Sequence, residues 1–139
     1  MNGFLYSLTL QWKLDIRSKS LLVTYYIVPL IFFLLMGGIF TSVMPEIGST
    51  LIQSMIVMSV SMGAFLGLPP SLIETYGSDI KKIYKANGVP IHLGLVTMVL
   101  SAFLHLMMTC MVILLLAPIL FKANLPSQFL LFFLALAIY

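Results

Sequence analysis

Ile80, Lys81, Lys82, Ile83, Tyr84 and Lys85 are the densest patch of reactive side chains in the chain. Ile80, Ile83 and Tyr84 fall at i, i+3 and i+4, which lines one face of a helix, and the three lysines take the remainder. Such a pattern performs recognition. An apolar stripe seats in a groove or among acyl chains, while ammonium groups pair with carboxylates or phosphates. Glu74 and Asp79 stand just ahead, so the island Glu74 to Pro90 holds three of the seven Lys/Arg and two of the four Asp/Glu. Ser78 is placed to cap a helix starting at Asp79, Gly88 is placed to stop it, and Pro90 follows. The spacing predicts an amphipathic helix of about two turns.

The other candidate chemistry is sparse. His92 and His105 stand thirteen positions apart, about 220° around a helix, and share no face. His92 lies close to a span end. His105 lies deeper and reads as a hydrogen-bonded packing residue, with a functional role as the alternative, because ionisable groups inside a membrane mark function by default. Met55, Met58 and Met62 share a face, and Met107, Met108 and Met111 cluster. Thioethers bind Cu(I), but methionine at helical spacing is mostly flexible core filler, so no metal site is assigned. Cys110 is the single cysteine and cannot close an intrachain disulfide. The acids Asp15, Glu46, Glu74 and Asp79 are expected near or outside the membrane interfaces, with no pairing spacing. No catalytic constellation exists, and no glycine precedes a lysine as a P-loop requires. The chain is not expected to be an enzyme or to carry a cofactor of its own.

Composition dictates the elements that position these groups. The chain is 61% hydrophobic and 8% charged, with mean hydropathy +1.14. Soluble domains carry about 25% charged residues, so an all-α integral membrane protein is expected. The net charge of +3 comes without aromatic–basic interleaving, which excludes a nucleic-acid surface. Residues 1–20 read as an interfacial helix, 21–41 as span one, 47–73 as span two, 74–90 as a loop, 91–121 as span three and 125–139 as a partial span four. That makes about four spans, the last incomplete, as in a fragment of a longer chain. Lys13, Arg17, Lys19, Lys81, Lys82 and Lys85 fall on one side and Lys122 alone on the other, which places the N-terminus and the 74–90 loop in the cytoplasm.

Within these elements, Leu5, Leu8, Trp12 and Ile16 form an apolar stripe with Lys13, Asp15 and Arg17 off it, suiting a helix flat on the membrane surface. Pro29 predicts a kink in span one, loosened further by Gly37 and Gly38. Ser59, Gly63 and Gly67 repeat every four residues in span two, a small-residue stripe that lets helices approach closely, either inside the subunit or at a dimer seam. Pro69-Pro70 is expected to bend or end that helix.

The order of these features resembles the permease subunit of type-2 ABC exporters: an interfacial helix, Arg17 opening span one, mid-span Pro29, Gly37-Gly38, then Glu74-Thr-Tyr-Gly-Ser, the basic–apolar helix, and Val89-Pro90. The chain departs from that pattern at Tyr76 and Asp79, and it matches the first four of the family's six or so spans. The resemblance implies a multi-pass protein of the cytoplasmic membrane that works as a dimer with a cytoplasmic ATPase subunit, where ATP binds. Residues 80–85 would be the coupling helix, with Ile80, Ile83 and Tyr84 in an ATPase cleft and the lysines on acidic rim residues or phospholipid. The alternative is a non-transport helical membrane protein, an immunity, scaffolding or interaction factor.

Overall fold

The computed structural model describes residues 3–76, 80–88 and 90–125, and single helical positions at 131, 134 and 138; the side chains of Pro45, Glu74, Thr75, Ile80, Lys81 and Ile91 are not among those described. The cap expected at Ser78, the helix start at Asp79, Val89 and most of the partial fourth span therefore lie outside the described residues.

Every described regular element is helical. Helix α1 (Gly3–Arg17) ends at Ser18, whose extended backbone (φ −79, ψ 105) breaks it. The Ser18 hydroxyl accepts from the Leu21 N–H at 3.5 Å and so caps the next helix. The first long segment is α2 (Lys19–Leu22), a π turn (Val23–Ile27) and α3 (Val28–Val43). It opens two residues earlier than hydropathy alone implied, because a capping serine rather than the last charge sets the corner. A 3-10 turn (Pro45–Ser49) leads to α4 (Leu51–Met62), a second π turn (Gly63–Gly67) and α5 (Leu68–Tyr76). Then come α6 (Ile80–Ala86) and α7 (Ile91–Phe121). Lys19–Val43, Leu51–Ile73 and His92–Phe121 are long and apolar enough to cross a membrane, with mean hydropathies of 2.2, 1.8 and 2.4. The chain is a helical membrane protein.

Both π turns end one residue short of a proline. The Val28 N–H donates to the Val23 carbonyl and the Leu68 N–H to the Gly63 carbonyl, each five residues back. Pro29 and Pro69 come next and have no N–H to give. Widening the turn relieves the clash between a proline ring and the carbonyl four residues earlier. Proline here perturbs a helix that continues, and Pro69-Pro70 does not end span two, since α5 runs on to Tyr76. The carbonyl that Pro29 leaves behind is that of Tyr25, and the Thr109 hydroxyl of α7 donates to it at 2.7 Å. A neighbouring helix thus supplies the hydrogen bond that lipid cannot.

Helix α7 is the axis of the bundle. It is 31 residues long, roughly 46 Å at the standard rise. Its C-terminal half packs with α3 and α4 around Phe33, Ile52, Met55, Ile56, Cys110 and Ile113. Its N-terminal half meets Tyr25 through Ala102 and Leu106, and α1 lies along it. Close approach depends on glycine. A Cβ at Gly63 would overlap Leu106, one at Gly67 would strike the Tyr25 ring, and one at Gly37 would strike Phe121. Ser59 is buried and its hydroxyl donates to the Met55 carbonyl at 2.8 Å. The small-residue stripe is thus occupied inside the chain. Beyond α7, the Asn124 N–H donates to the Gly48 carbonyl at 3.0 Å and ties the exit of span three to the 3-10 turn.

Candidate functional site

Two places concentrate polar chemistry. The first is α6. Ile83 is 55% exposed, between exposed Lys82 and Lys85. Tyr84 is only half exposed, because it leans on the start of α7. A Cβ at Gly94 would lie 2.8 Å from its ring and 3.1 Å from the Tyr76 hydroxyl. The absence of a side chain at Gly94 makes this docking possible. The stripe expected to present one apolar face is therefore divided: Tyr84 tethers α6 to α7, and Ile83 points away. The Asn87 amide donates to the Ile83 carbonyl at 2.9 Å, and Gly88 takes the left-handed backbone, φ 64, that ends the helix. Partial burial, then proximity to Tyr84, hold the Tyr76 phenol above its ordinary range.

The second place is buried between α1 and α7. Thr97, Ser101, His105 and Thr109 recur every four residues and put a polar stripe on one face of α7, each 3% exposed or less. Hydroxyls and an imidazole taken out of water and lipid need partners; Thr97 finds carbonyls of its own helix, Thr109 that of Tyr25, and α1 meets Ser101 and His105. Asp15 is 6% exposed. The Ser101 hydroxyl donates to its Oδ2 at 2.5 Å, and the Gln11 amide, one turn earlier on α1, donates to its Oδ1 at 2.8 Å. The Trp12 indole stacks flat on His105, with ring centroids 4.3 Å apart and an interplanar angle of 7°. From span one, the Tyr26 hydroxyl lies 2.7 Å from His105 Nδ1, and the Tyr25 ring stacks beyond at 5.9 Å.

The apolar stripe expected on α1 is divided: Leu8 and Trp12 turn toward α7, whereas Leu5 and Ile16 are 52% and 46% exposed. Asp15, expected near or outside an interface with no pairing spacing, is buried against α7. The inward face is Leu8, Gln11, Trp12 and Asp15, so α1 meets the polar stripe of α7 with half of its apolar stripe and its one acid. The sequence signal for this face is Thr97, Ser101, His105 and Thr109, four polar residues spaced by four in a largely apolar span.

One feature of the cluster is incomplete. His105 Nε2 is buried with no hydrogen-bond partner, and the nearest acid, Asp15 Oδ2, stands 3.9 Å away. On the Asp15 side of the cluster, a cavity of about 210 Å³ opens between α1 and all three spans, lined by Gln11, Asp15, Ser18, Thr24 and Ser71 among others. Among the described residues no group of three or more His, Cys, Asp or Glu could hold a metal ion.

No family model, curated protein or solved structure matches the chain. Fold and site define a helical membrane protein with a buried polar cluster and one short charged helix between its second and third spans.

Proposed function

We propose that the chain is the permease subunit of an ATP-driven exporter of the type-2 ABC class, moving substrate across the cytoplasmic membrane with a separate ATPase subunit. What supports this reading is α6, a short helix set between spans two and three with Ile83, Lys82 and Lys85 turned outward. In this reading α6 is the coupling helix. Ile83 enters a cleft on the ATPase, the lysines meet its acidic rim, and Tyr84 passes the displacement to α7 through Gly94. ATP binds and is hydrolysed at the partner, and two permease subunits shift as rigid bodies to reshape the pathway. The N-terminus and α6 face the cytoplasm.

The test is copurification. Tagged protein extracted in mild detergent is expected to bring down a P-loop ATPase, identified by mass spectrometry and by ATP hydrolysis in the eluate. Ile83→Asp is expected to lose it at least tenfold, the factor that about 1.4 kcal/mol of lost binding produces, while inserting normally. Tyr84 stays unaltered, because its substitution would also free α6 from α7. Equal recovery with both forms, or no ATPase with either, would sink the proposal.

A further inference from the structure

We propose that Asp15 and His105 form a proton-binding site that clamps α1 to α7. This stands apart from the transport reading and rests on the buried cluster alone.

The geometry pairs an imidazole with a carboxylate. His105 Nε2 is buried 3.9 Å from Asp15 Oδ2, beyond a hydrogen bond and within reach of an ion pair. If the Tyr26 hydroxyl donates to His105 Nδ1, the neutral ring carries its hydrogen on Nε2, and Nδ1 is where a further proton binds.

The charges lead to the same conclusion. Asp15 has two neutral donors, Ser101 and Gln11, and a buried carboxylate without a cation is costly. Lys13 and Arg17 of α1 are exposed. Span two has no titratable residue in its sequence. Span one offers the phenols of Tyr25 and Tyr26, and α7 offers, besides His105, the buried thiol of Cys110. Among the described groups around Asp15, only the imidazole can turn cationic. One proton from water makes the pair neutral overall. Nδ1–H then donates to Tyr26, the Tyr26 hydroxyl turns from donor to acceptor, and the imidazolium faces the carboxylate as an ion pair across 3.9 Å. The cavity reaches Asp15 between hydroxyl-bearing walls and has room for several waters at roughly 30 Å³ each, which provides the route. Loss of the proton restores a lone buried anion and weakens the hold of α1 on α7.

Trp12 is the only tryptophan in the chain, and its stacking on His105 makes it a built-in probe. A proton on the imidazole places a cation over the indole face and changes its emission. For the full chain in lipid nanodiscs, Trp emission from about pH 8 to about pH 5, the range where histidine titrates, is expected to pass through one transition. His105→Gln is expected to abolish that transition while His92 remains. Asp15→Asn is expected to move it down by about one pH unit or more, because the favouring carboxylate is gone. Hydrogen exchange of the wild type, corrected for intrinsic rates, is expected to show α1 more protected at the acidic end, and decides the matter if the variants do not insert. A flat wild-type titration, a transition unchanged in either variant, or equal protection of α1 at both ends overturns the proposal.

Discussion

A side chain that gives up water must find its partners within a few ångströms, and Thr109 shows how narrowly that is met here. Its hydroxyl serves two carbonyls, that of Tyr25 at 2.7 Å and that of His105 at 3.2 Å. The first is the one Pro29 strands. Thr109→Val keeps the volume and removes the donor. The expected loss is about 0.6 to 1.7 kcal/mol, the range for hydrogen bonds between membrane helices, read from unfolding in detergent. Thr109→Ser should recover most of it. If Val matches the wild type, the Tyr25 carbonyl has another donor.

Helices pack here by thinning their contact points. The π turns of spans one and two meet where Gly67 abuts Tyr25, and both turns lie one residue ahead of proline. Gly67→Ala forces a methyl group into an aromatic ring that is itself packed, and is expected to destabilise the bundle by about 1–3 kcal/mol. Gly38 is one residue from the tightly packed Gly37, yet a Cβ added there would meet nothing within 4 Å. Gly38→Ala should therefore be neutral, or stabilising by roughly 0.5–1 kcal/mol through helix propensity. Thermal unfolding of both variants in one detergent decides it, and equal effects would refute the seam.

Across the whole molecule, the proposed function requires α6 to face the cytoplasm. In the proposed orientation, which follows the excess of basic residues, α1 and α6 are inside and the 3-10 turn is outside. Cys110 is 1% exposed, so the wild-type chain supplies little background for thiol labelling. Lys85→Cys and Ser49→Cys place thiols at exposed positions at opposite ends of the bundle. In intact cells a membrane-impermeant maleimide is expected to label Ser49→Cys and to reach Lys85→Cys only after permeabilisation. The reverse pattern would invert the topology and remove α6 from reach of a cytoplasmic ATPase.

The sequence by itself determined the class of the molecule. Hydropathy is a local sum, so the three described spans, and a partial fourth beyond them, could be read from uninterrupted apolar stretches, and local periodicity was enough to expect a helix from Asp79, described from Ile80 to Ala86, with its stop at Gly88. Tertiary structure decided which faces meet. Asp15 and Ser101 are separated by 86 positions, and nothing near either residue specifies the other; their meeting depends on how α1 and α7 rotate about their own axes. The same holds for Tyr84, whose inward turn depends on an absent side chain at Gly94. Span content follows from the summed transfer energies of neighbours along the chain. Helix rotation follows from satisfying every buried polar atom at once, a condition that exists only once the helices are packed.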